Sequence, residues 1–315
     1  MINIPRKELN DGSHIPKKEL NDGSHIPIIG LGLAQIPATE VSDLVYTALK
    51  KGYRHFDSAA IYKNERGVCE GIAKWIKEDP GNNKRSDVWY TTKIFETEHG
   101  YEKTKNAIRV CLENAKTIGY IDMILVHSAR SNWERRHGTW IALQEAVESG
   151  FVKTIGVSNY ALKHVQELLE YKDLKIKPAV DQVELHPWLM REELVTYLQK
   201  NKIAPEAYSP LTRGMWLDDP TLVRIARKHN KSPAQILINW SLSKGFICLP
   251  RTSKPKRLDS NLEVFDFQLD REDLDLIEKR GEAHPTKKDS TDYPLDSEKT
   301  EEQLKREQES LKQNQ

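Results

Sequence analysis

Short apolar runs alternate eight times with longer amphipathic stretches between residues 26 and 262, and no other feature restricts the possible folds as strongly. IPIIGLGL precedes a helix-like stretch at 39–51, YRHFDSA one at 64–77, VWYTTK one at 103–114, and IDMILVH one at 139–149. VKTIGVSN then leads into 162–170, AVDQVEL into 191–201, IAPEAYSP into 221–229 and 233–243, and FICLP into 256–262. Strands that each return through a helix must run parallel, and eight such units in about 250 residues predict an α/β fold, a closed (β/α)8 or TIM barrel. An open doubly wound sheet is the alternative, and would normally carry G-x-G-x-x-G after its first strand. Gly30-Leu31-Gly32 lacks the third glycine, so the barrel is the expectation.

The ends of the chain have a different character. Residues 4–14 (IPRKELNDGSH) are repeated at 15–25 (IPKKELNDGSH) with one change, Arg6 to Lys17. Each copy holds Asn-Asp-Gly, the chemistry of a tight hairpin turn, because these residues tolerate positive φ. The second copy is expected to form an N-terminal β-hairpin against the barrel, and residues 1–14 a disordered duplicated leader. The barrel domain is placed at 15–282. Residues 283–315 are rich in Lys, Glu, Asp, Gln and Ser and are expected to form a polar, disordered tail, since they offer too little apolar area to offset ordering entropy.

Charge narrows the partners. The 48 Lys and Arg residues nearly cancel the 47 Asp and Glu, leaving a net charge of +1 that draws neither nucleic acid nor anionic lipid. No apolar stretch reaches the roughly 18 residues a membrane span needs, and the first residues lack the apolar centre of a secretory signal. Three cysteines, Cys69, Cys111 and Cys248, form no C-x-x-C pair and fit reduced thiols in the cytoplasm, with no disulfide framework or zinc site. The expected assembly is a monomer or weak homodimer.

In a parallel barrel, chemistry belongs at the C-terminal ends of the strands. Asp57, Tyr62, Lys93 and His127 lie just there in three consecutive units. Singly, each has an ordinary explanation as a turn former, a half-buried aromatic, a solvated charge and a core histidine. Together they suit a carbonyl that receives hydride, because the resulting alkoxide needs a proton donor and fixed hydrogen bonds. Tyrosine is a poor acid, with a reference pKa of about 10. A neighbouring ammonium lowers that value, and a carboxylate keeps the ammonium charged and in place. His127 then orients the carbonyl.

The motifs GYRHFDSAAIYKNE (52–65), TTK (91–93), ILVH (124–127), GVSNY (156–160), DQVELHP (181–187), EAYSPL (206–211) and LPRTSKPKRLDSN (249–261) occur in this order. The chain therefore resembles the aldo-keto reductases, most closely the fungal-type aldose and aldehyde reductases, over residues of about 15 to 282. The resemblance implies a catalytic tetrad of Asp57, Tyr62, Lys93 and His127, with Tyr62 the general acid in reduction and the general base in oxidation. It also implies an extended nicotinamide cofactor, its carboxamide held by Ser158, Asn159 and Gln182 and its ring stacked on Tyr208. Ser209 and Leu211 fall where the family wraps the pyrophosphate. Arg251, Thr252 and Arg257 fall where it grips a 2′-phosphate, and Asn261 at the adenine, which favours NADP(H) over NAD(H). His127 and Phe95 are expected to face a small carbonyl substrate. No metal is implied.

The implied activity is NADPH-dependent reduction of aldehydes, aldoses or ketones to alcohols, in the alcohol dehydrogenase and carbonyl reductase class. A regulatory subunit or redox sensor built on the same barrel is the alternative. The chain departs from the family pattern at four places, one of them Arg251, which stands where lysine is common and preserves the charge. Gly32-Leu33-Ala34 lacks the aromatic that many members carry, which predicts room for a bulkier substrate. Ser128-Ala129-Arg130 puts a cation near the pocket, suited to an anionic substrate or simply solvated. Asp181 stands where asparagine is commoner.

Overall fold

The structure, a computed structural model, describes residues 15–278 and 285–295. The leader at 1–14 and residues 296–315, with the pair Leu304 and Leu311, lie outside the described residues. The second copy of the repeat forms the hairpin of β1 (Lys17–Glu19) and β2 (His25–Pro27), with Lys18 paired to Ile26. Gly23, at φ +82°, supplies the left-handed residue that the turn needs. Leu20 and Ile26 of this hairpin are buried with Trp89, Met123, Leu125, Val180 and Ile247, so the hairpin closes the floor of the barrel.

The barrel strands are β3 (Leu31–Gly32), β4 (His55–Asp57), β5 (Trp89–Ile94), β6 (Ile121–Val126), β7 (Val152–Ser158), β8 (Val180–Glu184), β9 (Ala204–Tyr208) and β10 (Ile247–Leu249). They pair in parallel in sequence order. Parallel bridges from Ile29 to Cys248 and from Gly32 to Arg251 join the last strand to the first. β5 and β6 are buried on both faces, as strands between a filled barrel and a helical jacket must be. Eight parallel strands around a packed interior are the (β/α)8 architecture expected from the alternation.

The returning helices are α1 (Ala38–Lys50), α2 (Glu65–Glu78), α3 (Tyr101–Asn114), α4 (Trp133–Glu148), α5 (Leu162–Leu169), α6 (Glu192–Lys200), α7 (Pro220–Lys228), α8 (Pro233–Ser243), α9 (Pro255–Leu262) and α10 (Arg271–Glu278). α1 buries Val41, Leu44, Val45, Ala48 and Leu49, a stripe at helical spacing. Ser232 starts α8 by accepting from the Gln235 backbone N–H, and Pro233 fills the first turn, where its missing N–H costs nothing. α4 begins six residues before the expected Thr139, because the Asn132 side chain caps it, accepting from Arg135 N at 3.0 Å. Among the described residues no helix is long and apolar enough to cross a membrane.

The tail differs from expectation between 285 and 295, which dock on the barrel instead of extending into solvent. Tyr293 is buried, and Arg191 donates to both carboxylate oxygens of Asp289 at 2.8 and 3.1 Å. One aromatic and one bidentate ion pair give this polar stretch the contacts that its composition does not suggest.

Close strand packing generates one prediction. A Cβ on Gly156 of β7 would lie 2.7 Å from Val180 O and 2.8 Å from Leu125 Cδ2, with backbone on one side and core on the other. Gly156→Ala is expected to cost about 1–3 kcal/mol, read as a lower urea midpoint; an unchanged midpoint would contradict this packing.

Candidate active site

Asp57 ends β4, and Lys93 lies one residue before the end of β5. The Lys93 ammonium donates to Asp57 Oδ1 at 2.6 Å, to Asp57 Oδ2 at 2.8 Å and to the Ser58 carbonyl at 2.8 Å. Both side chains are buried. A buried ion pair is sustained only when further hydrogen bonds satisfy its remaining valences. Here Ser58 serves the ammonium, and Gln182 Nε2 donates to Asp57 Oδ2 at 2.9 Å. Burial works to lower the Lys93 pKa, but Asp57 and Tyr62 outweigh it and the net direction is upward, so the ammonium keeps its proton.

Beneath this pair lies a layer to which sequence reasoning assigned no role. Gln182 Nε2 also donates to Glu206 Oε2 at 2.8 Å, and Glu206 Oε1 is 3.7 Å from His55 Nε2. Burial, and then the charge of Asp57, push the Glu206 carboxyl up to about 8. Burial drives His55 down to about 3, so its imidazole is neutral. At neutral pH this layer therefore adds little charge to the balanced ion pair above it. A histidine and a glutamate inside the apolar runs YRHFD and IAPEAY were the available signal.

Tyr62 ends a 3₁₀ turn over Ala60–Tyr62. The turn is pinned by Asn64, which accepts from Ser58 Oγ at 2.6 Å and donates to the carbonyls of Leu33 and Ile36 at 2.9 and 3.0 Å. The Tyr62 ring centroid is 5.4 Å from Lys93 Nζ. Burial pushes the Tyr62 hydroxyl up and Lys93 is the strongest opposing influence. Burial wins, which corrects the expectation that the ammonium would lower the tyrosine pKa outright, because removal from water penalises tyrosinate more than one neighbouring cation favours it.

His127, beyond β6, meets the Tyr62 ring at 5.8 Å between centroids and 83°, and the Phe95 ring at 5.8 Å and 79°. Phe95 is buried and fixes the histidine edge-on. Burial, and then Lys93, hold the His127 pKa well below the usual range, so the ring is a neutral hydrogen-bonding group. The four tetrad residues thus meet at one end of the barrel.

The residues assigned to the cofactor extend from this centre. Ser158 Oγ donates to Gln182 O at 2.8 Å. Asn159, at φ +57°, donates through Nδ2 to His127 O at 2.9 Å and to Ser158 Oγ at 3.1 Å, and accepts from Tyr208 at 2.9 Å. After β9 the backbone takes positive φ at Ser209, Thr212 and Arg213, while Leu211 packs on the core. Arg213, missed in the sequence, projects its charge onto Tyr62, Tyr208 and Arg251, which places a cation between the two ends of the expected binding track. Arg251 donates to the carbonyls of Ala34 and Gln35, which ties down the loop after β3. Thr252 is buried and accepts from Lys254 N at 3.0 Å, and Arg257 is exposed on α9. Asn261 is buried on α9, its side chain hydrogen-bonded to the Tyr53 hydroxyl.

Comparison with known proteins agrees with this geometry. The model of the Aldo/keto reductase family matches residues 28–282. The chain belongs to this family. Among relatives, an uncharacterized oxidoreductase of Saccharomyces cerevisiae is 43% identical over 266 residues, covering 84% of this chain and 94% of the yeast protein. A glyoxal reductase of Bacillus subtilis is 40% identical over 250 residues, covering 79% and 87%. The crystal structure of a Bombyx mori aldo-keto reductase in complex with NADP has 32% identity and a TM-score of 0.81, covering 90% of this chain and 99% of that one. The protein is thus an oxidoreductase of a family that uses nicotinamide cofactors.

Two departures from the family pattern now have physical accounts. Burial pushes the Asp181 carboxyl well above its usual range, which favours the protonated form, and a protonated carboxyl has nearly the shape and charge of an asparagine amide. Arg130 lies 3.9 Å over the Tyr293 ring and 3.6 Å from Glu96, so its charge is balanced within the protein and it is not simply solvated. The docked tail is held by the barrel mouth as well. Thr286 donates its backbone N–H to Glu184 at 2.8 Å and its hydroxyl at 2.5 Å, and Arg213 donates to Thr286 Oγ1 at 2.9 Å.

The Glu206 shift has a definite sign. A carboxyl whose pKa is raised on folding contributes stability that is complete below its unfolded value of about 4.3 and is lost as pH rises through the folded value of about 8. Glu206→Gln cannot ionise, so its urea midpoint is expected to gain on the wild type between roughly pH 5 and 8. A difference that stays constant over that range would contradict the shift.

Proposed function

We propose that the protein is an NADPH-dependent reductase of aldehydes or aldoses, with Tyr62 as general acid. The observation that carries this reading is the Lys93 ammonium, fixed by Asp57 and Ser58 beside Tyr62, with neutral His127 meeting the same tyrosine edge-on. Its chemistry is that of an acid poised over a developing oxyanion.

The cofactor assignment rests on the donor set. The polar cluster of Ser158, Asn159 and Gln182 suits a carboxamide, the Tyr208 ring suits a flat heterocycle, and the buried amide of Asn261 suits an adenine edge. Arg213 supports a pyrophosphate. Arg251, Thr252 and Arg257 support a 2′-phosphate, since an arginine has five N–H donors and the bonds to the 34–35 carbonyls use only part of that set. The Bombyx mori neighbour in complex with NADP supports the same choice. When bound, the dinucleotide supplies the hydride.

The chain's own residues handle the proton and the position. His127 donates a hydrogen bond to the carbonyl oxygen and orients it. Tyr62 enters the reaction protonated, because burial keeps it so, and gives its proton to the forming alkoxide. Lys93 stabilises the tyrosinate left behind, and Asp57 and Gln182 keep Lys93 from following the charge. In alcohol oxidation the same tyrosinate is the base. Small aldehydes are favoured by likeness to the glyoxal reductase, and Ala34 in place of an aromatic favours a substrate of greater bulk as well. The buried free thiols support the reducing cytoplasm as the compartment.

The test follows loss of reduced-nicotinamide absorbance with NADPH and NADH against short aldehydes, pentoses and keto acids. The expected result is turnover of aldehydes with NADPH preferred. Tyr62→Phe is expected to lose about 10²- to 10⁴-fold in kcat while NADPH binding, read by fluorescence, persists. Undiminished reduction by that variant would overturn the assignment of the acid.

A further inference from the structure

Lys93 donates to both oxygens of Asp57, so Asp57 is an ionised acceptor, and Gln182 must present its amide nitrogen to it. That nitrogen spends one hydrogen on Asp57 Oδ2 at 2.9 Å and the other on Glu206 Oε2 at 2.8 Å. Glu206 is fully buried, and its second oxygen, Oε1, has no hydrogen-bond partner among the described residues. Across the barrel interior Oε1 faces His55 Nε2 at 3.7 Å. His55 Nδ1 lies 3.3 Å from the Pro27 carbonyl oxygen, which can only accept, so in the neutral ring the proton is on Nδ1 and Nε2 is bare.

An ionised Glu206 beside a neutral His55 would set a carboxylate oxygen against a nitrogen lone pair in the barrel interior. One proton on either atom turns that contact into an attraction. On Glu206 it leaves both groups neutral, on His55 it makes an ion pair, and in both cases the pair has no net charge. Burial favours the first, pushing Glu206 up to about 8 and His55 down to about 3. Loss of the proton leaves one negative charge and breaks no bond to Gln182, because Oε2 accepts in either state.

The oxidised nicotinamide ring is a cation and the reduced ring is neutral. Gln182, which the family resemblance sets at the carboxamide of that ring, is one hydrogen bond from Glu206. We propose that the Glu206–His55 pair holds one proton in the free protein and gives it up when the oxidised dinucleotide binds, so that NADP⁺ binding is linked to proton release and NADPH binding is not. This rests on the cofactor reading. A cation bound nearby favours ionised Glu206 and lowers its pKa, so the proton leaves at pH values between the bound and the free value and at neither extreme. The other groups facing Glu206 are Asp57 on β4, Lys93 on β5, Gln182 on β8 and Cys248 on β10. Asp57 and Lys93 offset each other as an ion pair, and burial pushes the Cys248 thiol up to about 12, so it keeps its hydrogen near neutrality.

The experiment is calorimetric titration of the full-length protein with NADP⁺ and with NADPH, in buffers of different ionisation enthalpy, which counts the protons released. Protons exchanged by the 2′-phosphate are common to both ligands and cancel in the difference. Near pH 7 the wild type is expected to release more protons with NADP⁺ than with NADPH, by at most one. Its affinity for NADP⁺ relative to NADPH is expected to rise with pH through neutrality, by at most about tenfold per pH unit, the limit for one linked proton. In Glu206→Gln, which keeps an acceptor for Gln182 but cannot ionise, both the excess release and the pH dependence are expected to vanish. In Tyr62→Phe they are expected to persist, which separates Glu206 from the phenol as the source. Equal release with the two ligands in the wild type, an excess that survives Glu206→Gln, or one lost in Tyr62→Phe would overturn the proposal. If Glu206→Gln does not fold, the infrared difference spectrum of the wild type decides: a protonated-carboxyl band is expected to be lost on adding NADP⁺ and not NADPH, and its persistence would overturn the proposal. A protein that binds neither dinucleotide would contradict the cofactor reading and the proposal with it, whereas equal proton release with both bound contradicts the proposal alone.

Discussion

Lys93 carries its ammonium into a barrel interior closed to water, where a lone cation could not be sustained, and the arrangement of the mouth follows from how that charge is held. Asp57 must sit at the end of β4 to accept two of its hydrogen bonds, and the carbonyl of Ser58 must turn inward for the third. Gln182 must cross from the far side to hold Asp57, and Glu206 must hold Gln182. Four strands are thereby committed to one register around one charge. Truncating one partner of such a pair leaves the other buried and uncompensated, which is why the arrangement is rigid where the chemistry needs rigidity.

Burial acts on this site with opposite consequences for its members, and the combination is what makes it usable. It raises Tyr62, which favours the protonated form that the proposed acid needs, and lowers His127, which favours the neutral ring that the proposed orienting role needs. It raises Glu206 and lowers His55, which leaves the single ion pair as the main charge in the layer. In the proposed reaction Lys93 matters chiefly at the moment the proton leaves Tyr62, when a negative charge appears beside it. A site that favoured tyrosinate from the outset would have no proton to give.

The fold was legible because its signal is distributed: eight apolar runs of strand length and nine intervening helical patterns all imply the same closed sheet, and no single boundary error, such as the late start assigned to α4, alters the outcome. The convergence of these side chains was legible because barrel geometry directs attention to strand ends, where Asp57, Lys93 and His127 stand out. His55 and Glu206 were not, because a polar residue inside an apolar run reads as noise until its register neighbour across the barrel is known. Gln182 and Glu206 are far from Asp57 in sequence and meet it only after closure. Residues 285–295 were misjudged for a related reason. Their composition is that of a solvated tail, and the partners that hold them, Glu184, Arg191 and Arg213, lie roughly 70 to 100 residues upstream.

The account depends on Lys93 easing the loss of the Tyr62 proton, and the most direct measurement is the titration of Tyr62 itself. With tyrosines labelled at ¹³Cζ and the Tyr62 signal assigned by its absence in Tyr62→Phe, the pKa can be compared between the wild type and Lys93→Met. Removing the ammonium takes away the favourable charge and leaves Asp57 repelling the tyrosinate, so the account predicts a higher Tyr62 pKa in the variant. A Tyr62 that titrates at the same pH, or at a lower one, once Lys93 is gone would contradict it.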